Sequence, residues 1–213
     1  MISAIIFDLD GVLCSTDEFH YQAWKRLADR LGIPFDREIN QRQRGVSRME
    51  SLEILLEKSE KTYSEEEKKS FAEEKNRYYV GLLQSMSPAD LSKEVKDTLD
   101  RLRGMGLKLA VGSSSKNTHT ILDKIGLGTY FDAVADGNDI VRSKPDPEVF
   151  LVAASRLGIS PEKCLVVEDA RAGIDAAKAG GFESCAIGAA SGYELADHSL
   201  KCFSEIVDIV LRA

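Results

Sequence analysis

At 213 residues, 43% of them hydrophobic and 30% charged, the chain can bury one good core with a smaller appended unit. Its formal net charge of −7 excludes a general nucleic-acid binder, which needs a basic face, but leaves room for a local cationic pocket and a small anionic substrate. No apolar run approaches membrane-spanning length and the N-terminus enters a strand directly, so neither a signal peptide nor an anchor is expected. The four cysteines (Cys14, Cys164, Cys185, Cys202) are scattered without metal-ligand spacing and read as reduced thiols of a cytoplasmic protein.

Ala4 to Phe7 is a short apolar run that reads as a buried strand. Four helical stretches follow with no strand between them. Ser15-Thr16-Asp17-Glu18 has capping-box spacing ahead of Phe19, Ala23, Leu27 and Leu31, and Gly32 with Pro34 stops that helix. A short helix is expected around Asp36 to Gln41. Ser47-Arg48-Met49-Glu50 and Ser64-Glu65-Glu66-Glu67 repeat the cap pattern before two more helices, the last ending near Gln84 because Ser87-Pro88 breaks it. From Lys93 the chain alternates. A helix over Val95, Leu99 and Leu102 precedes a strand from Leu107 to Val111, and a helix from Asn117 to Ile125 precedes a strand at Ala133-Val134. A helix from Pro147 to Leu157 leads to a strand from Cys164 to Val167. A helix from Ala172 to Ala179, a strand from Ser184 to Ile187 and a helix from Ser204 to Leu211 close the chain.

Alternation of this kind predicts an α/β, doubly wound parallel sheet. The helical block, residues 15–85, is then an inserted cap, and residues 1–14 with 86–213 form the core. Ligands of such sheets sit beyond the carboxyl ends of the strands, where the insertion would act as a lid.

Four strand ends supply polar groups to that edge: Asp8 and Asp10, Ser113 to Asn117, Ser143-Lys144-Pro145, and Glu168-Asp169. Two aspartates two residues apart in an extended segment point the same way and repel, so a cation between them or a shared proton is required. Asp8, Glu168 and Asp169 make a hard-oxygen cluster suited to Mg²⁺, and Lys144 adds a positive charge. A lone DxD is common on surfaces; four elements agreeing in order and type are not.

These four motifs resemble those of the haloacid dehalogenase-like phosphotransferases. Within that superfamily, residues 1 to about 190 resemble the β-phosphoglucomutase family through FDLDGV, FHYQAWKRLADRLGI, RGVSR, SPAD, SSSKN, SKPDP and EDARAGI. The resemblance implies that Asp8 is a nucleophile forming an aspartyl-phosphate and that Asp10 is the acid/base. It also implies that Asp8, the Asp10 carbonyl, Glu168 and Asp169 hold Mg²⁺, and that Ser113 and Lys144 bind the transferring phosphoryl oxygens. Lys144-Pro145 resembles a family cis peptide.

A second anion site is legible in the lid. Arg42, Arg44 and Arg48 lie in a stretch free of acids; Arg42 reads as solvated. In RGVSR (Arg44, Gly45, Val46, Ser47, Arg48), Gly45 permits a tight turn and Ser47 caps a helix whose N-terminus suits an anion. Arg48 can grip a phosphate with two parallel bonds. Ser115, Lys116 and Asn117 resemble the family's partners for the same non-transferring phosphate. On its own the first lid helix would pack Trp24 and expose His20; the resemblance turns both toward the sugar and Asp10. Thr16 matches a hinge threonine, Ser51 and Lys75 a polar lining, and Asn76 is left open between that lining and solvent. His119 and His198 read as surface residues.

Two departures stand out: Arg44 replaces a lysine, changing reach and fork geometry, and Cys14-Ser15 replaces a polar-acidic pair at the hinge. The resemblance implies a monomer that interconverts β-D-glucose 1-phosphate and glucose 6-phosphate through β-glucose 1,6-bisphosphate, with no nucleic-acid or membrane partner. A sugar-phosphate or phosphoglycolate phosphatase of the same fold would share Asp8, Asp10, Ser113, Lys144 and Asp169, so the lid carries the discrimination. A non-catalytic binding protein would not retain every catalytic position.

Overall fold

The computed structural model describes residues 1–212. β1 (Ala4–Phe7) is buried along its whole length, as an apolar run in the middle of a parallel sheet must be. Four helices follow it and make up the insertion: α1 (Asp17–Leu31), α2 (Arg37–Arg42), α3 (Arg48–Leu56) and α4 (Glu65–Leu83). They enclose their own cluster of Trp24, Leu27, Ala28, Leu52, Leu55 and Ala72, apart from the clusters around the sheet.

β1 pairs with β2 (Lys108–Gly112) on one side and β4 (Cys164–Glu168) on the other. β3 (Ala133–Ala135) extends the β2 side; β5 (Glu183–Ala186) and β6 (His198–Ser199) extend the β4 side. All six strands are parallel, in the order β3-β2-β1-β4-β5-β6. Because strand side chains alternate, Ile5, Phe7, Val111 and Val167 face one side, covered by α5 (Lys93–Gly104), α6 (Thr118–Lys124) and α9 (Ile206–Arg212). Ala4, Ile6, Ala110 and Val166 face the other, under α7 (Glu148–Leu157) and α8 (Arg171–Ala179). This is the doubly wound sheet expected from the alternation. No helix among the described residues is long and apolar enough to cross a membrane, and all four cysteines are free.

The strand order reverses between β1 and β4. Loops leaving these two strands diverge, and a crevice opens at their carboxyl ends. Phe7 is in register with Val167, so Asp8 emerges beside Glu168 and Asp169.

The caps at Ser47 and Ser64 form as expected, each serine and its glutamate three residues on exchanging bonds with the other's backbone N–H. The one expected at α1 does not form. Thr16 occupies the N-cap position, but its side chain caps nothing, because its hydroxyl is drawn to Asp10. β6 was not expected from the sequence: two residues are too short for periodicity to show. His198, expected on the surface, is half-buried there, its Nε2 2.6 Å from Glu183 Oε1.

Candidate active site

The crevice has a volume of about 440 Å³. Among the predicted site residues, Thr16, Lys144 and Glu168 stand behind its wall and the others line it. Lys144, on the loop before α7, is fully buried. Its Nζ lies 2.5 Å from both Asp8 Oδ1 and Glu168 Oε1 and 4.6 Å from the centre of the Phe150 ring. Burial alone would lower its pKa, but the charges of Asp8 and Glu168 more than reverse this and keep the amine protonated. The Lys144–Pro145 peptide is cis. Ser113 is buried at the end of β2, where its Oγ accepts the Ser115 N–H at 3.2 Å.

Two predicted residues are already paired with each other here. Glu168, expected to hold a metal, has both oxygens engaged: Oε1 by Lys144 and Oε2 by the Ala170 N–H at 2.8 Å. Lys144, expected on the transferring phosphoryl group, lies between two carboxylates, one of them Asp8. Accordingly, among the described residues no group of three or more His, Cys, Asp or Glu side chains is arranged as a ready metal cage.

The remaining carboxylates nevertheless suit a divalent cation. Burial pushes Asp8 upward, with Glu168 and Asp169 adding to the effect against Lys144. Burial, then the charge of Glu168, pushes Asp169 up to about 7 even with the Arg44 guanidinium beside it. Four carboxylates (Asp8, Asp10, Glu168, Asp169) face the two cations Lys144 and Arg44, an excess negative charge that a hard divalent ion would neutralise. Gly11 makes room for this arrangement. A Cβ there would stand 2.1 Å from Asp169 Oδ2, and its φ of +83° favours glycine in any case. Any other residue would push Asp169 away from the Asp10–Gly11 backbone.

Asp10 points toward the helical insertion. Its Oδ1 accepts the Thr16 N–H at 3.1 Å and the Thr16 hydroxyl, while Oδ2 lies 3.8 Å from His20 Nε2. Burial raises Asp10, with the Thr16 bonds acting against it. Lys75 Nζ sits 2.8 Å from His20 Nδ1, over the rings of Trp24 and Tyr79 at 4.7 and 4.5 Å. Burial, then neighbouring positive charge, holds both His20 and Lys75 well below their usual pKa values. Trp24 is buried in the insertion's own core and also lines the crevice.

The seam between insertion and sheet is polar. Gly45, at φ +77°, lets its carbonyl accept the Ser114 hydroxyl at 3.1 Å. Asn76, left open by the sequence, accepts from Asn117 Nδ2 at 3.0 Å, and Ser143 donates to Glu50. Arg44 reaches Asp169 at 3.2 Å and also pairs with Asp17. Here it braces carboxylates, although the resemblance implied a phosphate contact. Arg42 is exposed and pairs with Glu57 at 2.7 Å, as a solvated face would. Arg48 and Lys116 line the crevice and make no ion pair among the described residues. Val46 and Ser51 complete this end.

Tyr79 escaped the sequence reading. It is fully buried on α4 and donates its hydroxyl to Thr16 Oγ1 at 2.9 Å. Its spacing of four from Lys75, one turn along the same face, was the available signal.

A reversed strand order with an acidic, lysine-braced crevice at its carboxyl edge, roofed by inserted helices, defines an α/β protein with its chemistry at the switch point. A family model described as haloacid dehalogenase-like hydrolase matches residues 2–181. The chain belongs to the haloacid dehalogenase-like hydrolase family. It is 40% identical to a β-phosphoglucomutase of Bacillus subtilis (strain 168), over 88% of this chain and 84% of that protein. It is 35% identical to a phosphorylated carbohydrates phosphatase of Thermotoga maritima, over 85% of this chain and 83% of that one. A crystal structure of β-phosphoglucomutase from Clostridium difficile superposes with a TM-score of 0.93 at 36% identity, covering 100% of this chain and 96% of that chain.

Proposed function

We propose that the chain interconverts β-D-glucose 1-phosphate and glucose 6-phosphate through an aspartyl-phosphate at Asp8 and β-glucose 1,6-bisphosphate. One observation carries this reading: the crevice has cationic groups at two places. Lys144 stands behind Asp8. Arg48, Lys75 and Lys116 line the crevice with Ser115 and Asn117, and among the described residues no carboxylate is paired with any of the three. A hydrolase of a single phosphate needs one such place; a mutase working through a bisphosphate needs two. An anion among Arg48, Lys75 and Lys116 would also favour the charged form of Lys75, which burial now disfavours.

In this reading, residues 15–85 form a lid over a core of residues 1–14 and 86–213, and the molecule acts as a cytoplasmic monomer on a soluble sugar phosphate. Asp8 attacks phosphorus, dividing one difficult transfer into two easier ones. Asp10 gives a proton to the leaving oxygen and later takes one from the attacking hydroxyl. Ser113 orients the transferring group, His20 and Trp24 face the sugar, and Arg48 with Ser115, Lys116 and Asn117 holds the far phosphate. Asp8, the Asp10 carbonyl, Glu168 and Asp169 would hold Mg²⁺, with Glu168 also keeping Lys144 in place. The bound ion would supply positive charge to the phosphoryl oxygens and keep Asp8 ionised.

A coupled assay on α- and β-glucose 1-phosphate, with free phosphate measured alongside, tests the reading. Glucose 6-phosphate formed from the β anomer supports it; free phosphate as the main product supports a phosphatase such as the Thermotoga relative. Arg48→Ala removes a charge-assisted contact of about 1.5–3 kcal/mol, or about 10- to 150-fold in affinity for glucose 1-phosphate and the bisphosphate. Acetyl phosphate, which has no second phosphate, should phosphorylate Asp8 as well as before. Equal losses for both donors count against two phosphate sites.

EDTA should abolish turnover, and added Mg²⁺ should restore it. Asp169→Ala should raise the Mg²⁺ concentration for half-maximal activity while leaving sugar affinity at saturating metal little changed. Ca²⁺ should bind but support little turnover, since it takes longer and more numerous oxygen contacts. Full activity in chelated enzyme would remove the metal from the account.

A further inference from the structure

We infer that Tyr79 is a positioning residue for Asp10, acting through a relay in which the Tyr79 hydroxyl donates to Thr16 Oγ1 and the Thr16 hydroxyl donates to Asp10 Oδ1. The inference rests on the acid/base role proposed above for Asp10.

The logic is one of counting protons. A phenol has one proton, and that of Tyr79 goes to Thr16 over 2.9 Å. Accepting from Tyr79 on one lone pair, the Thr16 hydroxyl directs its own single proton to Asp10 Oδ1. Tyr79 is fully buried and Thr16 nearly so, so water does not compete for either hydroxyl. Burial, reinforced by the charge of Asp10, also pushes the Tyr79 phenol well above its usual range, which keeps it a donor.

The consequence falls on Asp10. Oδ1 already accepts the Thr16 N–H as well as the hydroxyl. With Oδ1 so occupied, Oδ2 is the oxygen left turned to His20. The relay thus fixes which carboxyl oxygen is turned to His20. It also crosses the molecule. Tyr79 is on α4, Thr16 is at the start of α1, and Asp10 is on the loop after β1. The Tyr79 ring is independently fixed, since it packs in the sheet-side apolar cluster and lies tilted against His20, with ring centres 4.1 Å apart.

Tyr79→Phe removes the oxygen and keeps the ring. With one neutral hydrogen bond lost, kcat for β-glucose 1-phosphate should fall by about fivefold with KM little changed. In a Thr16→Val background the same change should have no further effect on kcat, because the relay is already broken. A purely structural role would show as equal losses in both backgrounds, and no loss in either would mean the hydroxyl is idle; each overturns the inference. A second measurement needs no substrate. In proton NMR, wild type should show a slowly exchanging Thr16 hydroxyl that shifts or disappears in Tyr79→Phe. Should wild type turn over no sugar phosphate, the proposed activity fails, and this resonance alone decides the relay. Its absence from wild type, or its persistence unshifted in the variant, overturns the relay.

Discussion

Asp8→Asn should leave no measurable turnover of any phosphorylated sugar. The substitution conserves shape, so loss of activity will report on chemistry. An amide nitrogen and a neutral amide oxygen cannot attack phosphorus and be regenerated by transfer, and the other carboxylates are committed elsewhere. Glu168 is tied to Lys144 and the Ala170 N–H, Asp169 braces Arg44, and Asp10 is turned to Thr16. Lys144 keeps Glu168 as a partner in the variant, so its buried charge is not orphaned and the fold should survive. Incubation of wild type with labelled bisphosphate should place phosphate on Asp8, read by mass spectrometry of proteolytic peptides, and Asp8→Asn should carry none. Label on another residue would overturn the assignment.

Asp10→Asn should still bind substrate and retain a phosphorylatable Asp8, yet transfer to and from the sugar hydroxyl should slow by about 10²- to 10⁴-fold, the usual share of general acid–base catalysis. The amide oxygen can still accept both Thr16 bonds, so the side chain should stay in place. What it lacks is an exchangeable proton on the side facing His20. The expected signature is a collapse of kcat with KM unchanged or lower. A variant within a few-fold of wild-type kcat would reduce Asp10 to a neighbour of the metal.

Local rules within the sequence anticipated much of the molecule. The apolar run Ala4–Phe7 became a fully buried strand, Ser47 and Ser64 became reciprocal caps, and alternation after Lys93 became the parallel sheet. Each depends on residues within one turn or one strand, where periodicity and hydrogen-bond geometry act over a few positions. The polar groups at four strand ends were legible for the same reason: strand direction alone sends them to one edge.

Where each of those groups directs its charge was decided by packing. Lys144 and Glu168 are 24 residues apart, Arg44 and Asp169 125, and Tyr79 and Thr16 63. A sequence shows that a carboxylate and a cation both reach the crevice but not which pairs form there, because desolvated charges choose partners by distance and burial set by the whole fold. Thus Glu168 took Lys144, and Arg44 took Asp17 and Asp169. Ser15 and Glu18 had the local spacing to cap α1, yet the helix begins at Asp17 with Thr16 at the N-cap position, its hydroxyl turned to Asp10. A buried carboxylate is the stronger acceptor, and α4 had placed a phenol where it could hold that choice.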